Sequence, residues 1–114
     1  MLTLIVRQAR RRHEAAPIGE RDVDAVGVEL VEGDEMADTF SAGDAVIIDK
    51  TKLMPSPSGI FVVLQAGAKV VRRLQLLSES TVRVSCDNRL YGPVDIDLAT
   101  VQIVGRVVGR IARI

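Results

Sequence analysis

Two short segments carry the side chains with chemical potential. One is the acidic turn Gly33-Asp34-Glu35-Met36, with Asp38 close behind it; the other is the basic pair inside Val71-Arg72-Arg73-Leu74. Two carboxylates can divide acid and base roles when their surroundings push their pKa values apart. Asp34, Glu35 and Asp38 lie in one polar turn, however, which is the pattern of a solvated acidic loop. An arginine keeps its proton under any ordinary condition, so Arg72 and Arg73 can bind an anion but cannot act as a base. Cys86 has no histidine near it in sequence and reads as a small buried apolar side chain rather than a nucleophile. His13 stands alone among Arg7, Arg10, Arg11 and Arg12, with no partners for a triad or a metal. A single cysteine excludes an internal disulfide and a zinc site built from several thiolates. No cofactor and no metal is expected.

The elements that must position these groups are mostly strands. The stretch Val31 to Asp49 places two Gly-Asp corners, Gly33-Asp34 and Gly43-Asp44, around a polar loop that holds Glu35 to Phe40. Glycine accepts positive φ and an aspartate side chain bonds nearby backbone donors, so each pair is a turn signal. The apolar run Ala45 to Ile48 follows as a strand. Before the loop, Val26, Val28 and Leu30 alternate in the manner of a half-buried strand. After it, Lys50 to Ser58 is a proline-rich loop, and Gly59 to Gln65 is the most apolar segment and is expected to be a central strand. Gly67 turns the chain into an antiparallel return from Lys69 to Leu77, where Lys69, three residues from Arg72, points to the opposite face. Ser80 to Cys86 alternates again, Asp87-Asn88 makes a turn, and Val94 to Ile114 supplies two or three more strands. Several short strands separated by turn signals give a mainly β fold.

At 114 residues the chain fits one folded unit, expected over 25–114. Residues 1–24 read as an amino-terminal arm or linker, either a short helix ending before Pro17 or an extended segment. Fifteen basic and fifteen acidic residues cancel, so no overall field draws the protein to nucleic acid or to an anionic membrane. The basic cluster ahead of Pro17 is too short for a helix-turn-helix, and direct nucleic-acid contact is not expected. Apolar runs are too short to span a bilayer, no signal-peptide order is present, and a cytoplasmic location is the default expectation.

Gly33-Asp34-x-Met36, Thr39-Phe40, Gly43-Asp44, Val46 and Asp49 together resemble the pattern Gly-Asp-Ser-Met-x-Pro-Thr-Leu/Phe, then Gly-Asp and an apolar strand ending in Asp. That pattern belongs to the LexA-like, self-cleaving peptidase S24 family, which includes phage repressors and SOS-response regulators. Further along, Val71-Arg72-Arg73-Leu74 stands where the family reads Val-Lys-Arg-Leu. Asp87, Asn88, Tyr91 and Pro93 match its Ser-Asp-Asn-x-x-Tyr-x-Pro segment, and the closing Ile-x-Gly-x-Val strand matches as well. The resemblance covers about 26–114 and implies a domain of twisted antiparallel strands.

It also implies where a catalytic site would be, and what has changed there. Glu35 occupies the position of the nucleophilic serine, Arg72 that of the general-base lysine, and Asp38 that of a proline. Losing both halves of the dyad removes the route for covalent attack. No Ala-Gly or Cys-Gly bond of the kind the family cleaves precedes Glu35. Paired strands would bring Glu35 and Arg72 together as a bidentate ion pair, unless both side chains extend into solvent from a shallow cleft. The function implied is a catalytically inactive domain that serves as the dimerisation or regulatory module of a repressor-type transcription regulator. It would act as a homodimer, with a DNA-binding repressor partner or an amino-terminal DNA-binding domain outside this chain. The terminal strand, with Val107, Val108 and Ile111 and an open edge, is the expected dimer contact. Two alternatives stand beside it: a self-cleaving serine peptidase with an altered site, and a module binding a peptide or small ligand in the former cleft.

Overall fold

Turn chemistry and period-two alternation divide the chain into seven strands, which the computed structural model describes over residues 25–112. They are β1 (Val26–Leu30), β2 (Ala45–Asp49), β3 (Gly59–Gln65), β4 (Ala68–Leu76), β5 (Thr81–Ser85), β6 (Val94–Asp97) and β7 (Gln102–Ile111). One 3₁₀ turn, Leu98–Thr100, joins β6 to β7, capped at its start by the Asp97 carboxylate on the Ala99 N–H. All pairings are antiparallel, and the strands form one sheet in the order β1-β2-β7-β3-β4-β5-β6. The mainly β expectation holds. The amino-terminal arm, helical or extended, lies outside the described residues.

The sheet is rolled. Glu29 on β1 accepts from Lys69 Nζ on β4 at 2.8 Å, although the two strands are far apart in the sheet order. The rolled face encloses one core of Val31, Met36, Phe40, Val46, Ile48, Val62 and Val71. A second core on the other face gathers Phe61, Val63, Leu74 and Val82 under Leu98 and Val101 of the β6–β7 connection. Phe61 is fully buried. It is paired to Arg72 on one side and Arg106 on the other, with the Arg106 guanidinium 5.0 Å from its ring centroid.

Two expectations need correction. Val26, Val28 and Leu30 were to form the buried side of the first strand, yet Val28 is 44% and Leu30 64% exposed. β1 is an edge strand, and Glu29 on its other side faces inward to Lys69, so the charged side is the covered one. The closing strand was expected to be a terminal edge, but β7 runs through the middle of the sheet. Its first half, Gln102 to Arg106, pairs with β3; its second half, Arg106 to Ile111, pairs with β2. The handover falls at Arg106, and at the preceding Gly105 an added Cβ would lie 2.9 Å from the Asp49 carbonyl oxygen. Beyond Arg106, among the described residues, no strand pairs with β7 on the side away from β2.

Candidate functional site

The loop between β1 and β2 is closed at its base like a hairpin. Val31 N–H donates to Asp44 O and Gly43 N–H to Val31 O, at 2.8 and 2.9 Å. Gly33 and Gly43 have φ of 76° and 95°, the left-handed region that the two Gly-Asp corners require. The buried Asp44 carboxylate accepts from Ser41 N–H, and Asp49 accepts from the amide and hydroxyl of Thr51. Within the loop, Met36 and Phe40 turn into the core and Phe40 N–H bonds Met36 O. The 37–38 peptide is cis, with Asp38 exposed.

The segment after β5 holds this loop from outside. Asn88 donates its backbone N–H to Glu35 O and its side-chain amide to Asp34 O. Tyr91 donates its hydroxyl to the Asp34 carboxylate at 2.7 Å, and this raises the phenol pKa above its ordinary value because ionisation would place two negative charges in contact. Asp87 accepts the Thr39 hydroxyl at 2.5 Å and a two-pronged contact from Arg73 at 2.8 and 2.9 Å. The Arg73 fork, followed by the Thr39 hydroxyl, holds the Asp87 carboxyl below its usual pKa against the opposing effect of burial. From β7, Arg110 donates to Thr39 O at 2.8 Å, with its guanidinium 5.9 Å from the Phe40 ring centroid. Thus Gly33, Asp34, Met36, Thr39, Gly43, Asp44, Asp87, Asn88 and Tyr91 all belong to one assembly that fixes the backbone of residue 35.

Glu35 and Arg72 come together there. Arg72 Nη1 lies 3.9 Å from Glu35 Oε2, with side chains 12% and 28% exposed. The contact is a single long one rather than bidentate, because Nη1 gives its hydrogen bond to Val71 O at 2.8 Å. Neither side chain extends freely into solvent. Lys69 turns to the other side of β4 and is engaged with Glu29, so no amine takes the place of Arg72. Cys86 is half-buried against the first core and lines the same groove.

That groove has a volume of about 1080 Å³ and runs along the sheet face from Glu35 and Arg72 past Val63, Val70, Val84 and Ile96. Leu90, Tyr91 and Val94 form an exposed apolar rim. Behind the ion pair is a smaller cavity of about 50 Å³, bordered by Leu30, Glu32, Met36 and Lys69. Glu35, Val70 and Arg72 line both spaces. The pair therefore stands between the two spaces. Chemically it offers a fixed carboxylate and a fixed cation, with neither a nucleophile nor a proton acceptor of the lysine kind. Among the described residues, no group of three or more His, Cys, Asp or Glu side chains is placed to hold a metal ion, and no helix is long and apolar enough to cross a membrane.

Arg110 was not expected to serve this site. It lies in the alternating last strand, and no local signal links it to a loop seventy-one residues earlier. The bidentate Arg83–Asp95 pair across β5 and β6 was likewise not foreseen.

A rolled antiparallel sheet, with a Gly-Asp loop pinned beside the strand that carries Val71 to Leu74, defines a LexA-like β domain. The chain belongs to the peptidase S24-like family, whose sequence model matches residues 7–108. A comparison with curated proteins finds no significant match.

Proposed function

We propose that this domain is a catalytically inactive member of its family and acts as a self-associating regulatory module of a repressor-type regulator. The observation that carries the reading is the Glu35–Arg72 contact at 3.9 Å. The two positions at which the family's nucleophile and base meet are in contact here, but they hold a carboxylate and a guanidinium. A carboxylate has no hydroxyl with which to attack, and a guanidinium cannot accept the proton of an attacking hydroxyl. The frame around the site is intact, which supports retention of the domain for a role that does not need cleavage.

Self-association is the role the fold supports best. The Val107–Ile111 half of β7 has no strand on one side among the described residues, and Ile111 is 37% exposed. Backbone groups along such an edge are ready to pair with a second copy. Deleting the strand would not test this, because β7 holds both halves of the sheet together. The test is sedimentation of the full chain across micromolar concentrations, beside Val108→Lys and Ile111→Lys. A concentration-dependent dimer that both variants weaken, with unchanged far-ultraviolet circular dichroism, supports the reading; a monomer at every concentration overturns it.

The groove favours a second reading, a module that binds a peptide or small apolar ligand. Its floor of Val63, Val70, Val84 and Ile96 ends at a fixed acid–base pair, the usual mixture of apolar lining and few polar groups in a ligand site. A melting-temperature shift with added peptide, lost in Val84→Asp, distinguishes this reading from the first.

A further inference from the structure

We propose that Arg110 transmits the state of the open edge of β7 to the loop that carries Glu35. The inference rests on the self-association reading above and names how pairing at that edge would regulate the site. The loop is anchored at two places by different elements. Near Asp34 and Glu35 the anchors are Asn88 and Tyr91, which sit in the 86–91 turn. Near Thr39 and Phe40 they are Asp87 through the Thr39 hydroxyl, and Arg110 through the Thr39 carbonyl and the Phe40 ring.

The second anchor differs in kind from the first. Arg110 sits one residue from the end of β7, opposite Val46 on β2, in the half of the strand that is paired on one side only. Strand ends bonded on one side open at low free-energy cost. When residues 109–111 lift from β2, the Arg110 guanidinium leaves the Thr39 carbonyl, and of the two hydrogen bonds that tie Thr39 to other elements only the one to Asp87 stays. A second copy paired along Val107–Ile111 holds the Arg110 backbone in place and so holds the loop. Met36 and Phe40 are core residues on either side of the 37–39 segment, so a looser Thr39 end reaches the Glu35 backbone through side chains packed in one cluster. The coupling is a difference in loop stability between the paired and unpaired edge, which is what regulation of one site by another requires.

The test is amide hydrogen exchange of the full chain below and above the concentration at which it associates, with sedimentation in parallel. Peptides covering 33–41 are expected to exchange about tenfold more slowly in the associated protein. Arg110→Met is expected to remove that difference while association remains, and Arg110→Lys, which keeps a donor for the Thr39 carbonyl, to retain part of it. Association with unchanged exchange in 33–41, or slowing in Arg110→Met equal to wild type, overturns the inference and leaves the dimer standing. A chain that sediments as a monomer throughout overturns both. If Arg110→Met does not fold, unchanged wild-type exchange on association still overturns the inference, and so does slowing in Arg110→Ala equal to wild type.

Discussion

Arg73 and Asp87 meet through two parallel hydrogen bonds of 2.8 and 2.9 Å, and the same carboxylate takes the Thr39 hydroxyl. One side chain thereby ties β4, the 86–91 turn and the Glu35 loop together. The Asp87 pKa is lowered in the fold, chiefly by the Arg73 hydrogen bond. A depressed carboxylate pKa contributes stability that is present above the unfolded value and is lost as pH falls through the folded one. Thermal stability is therefore expected to decline below about pH 4, and Asp87→Asn to flatten that decline. Because Arg73 is 44% exposed, Asp87→Asn should cost only about 1 kcal/mol at pH 7. Melting curves from pH 2.5 to 7 for both proteins check this.

Tyr91 is the sole tyrosine of the chain, so its ionisation can be followed by ultraviolet absorbance without interference. Its hydroxyl donates to Asp34, and the phenol is expected to ionise above the ordinary range. In Asp34→Asn the titration should move down toward about 10, the unperturbed tyrosine value. Equal midpoints in the two proteins would show that the contact does not persist in solution.

The Glu35–Arg72 pair is long and partly exposed, and a strong interaction is not expected from it. A double-mutant cycle with Glu35→Gln and Arg72→Met, read by urea unfolding, should give a coupling of about 0–1 kcal/mol. A coupling several times larger would mean that the pair closes to a bidentate contact in solution.

Gly105 lies just before Arg106, where β7 passes from β3 to β2. A methyl group there would meet backbone, the Asp49 carbonyl at 2.9 Å, rather than the end of a flexible side chain. Gly105→Ala is expected to destabilise the fold by about 1–3 kcal/mol. Gly67→Ala, with open space but φ of 82°, should cost about 1 kcal/mol through backbone conformation alone. Denaturant midpoints rank the two.

Local features were legible in the sequence where one residue type has one physical use. Gly33 and Gly43 announce positive φ, Gly59 to Gln65 announces a buried strand, and Asp87, Asn88 and Tyr91 carried a family likeness whose contacts turn out to be the loop anchors. What local pattern does not contain is strand order. Period two tells which side chains share a face, not which strand lies alongside. For that reason alternation alone reads the exposed face of β1 as a buried one, and the closing strand as an edge. The same limit hid Arg110, whose partner is a carbonyl oxygen with no sequence signature. The single contact at Glu35 was also beyond reach, because it depends on Arg72 bonding the Val71 carbonyl of its own strand.

The division of β7 between two partners has a consequence for how the chain comes to be folded. β2 is complete by Asp49 and β3 by Gln65, yet each waits for β7 before it gains its inner neighbour. Ala45 and Ile111 are 66 positions apart, a span that makes this pairing slow compared with the local β3–β4 hairpin. During synthesis β1–β2 and β3–β6 would emerge as two unjoined ribbons, each with a bare apolar face, until residue 111 has left the ribosome. The final assembly step is thus a strand threading between two ready-made halves, and slow or failed closure would leave the β2 and β3 edges free to capture one another in neighbouring nascent chains.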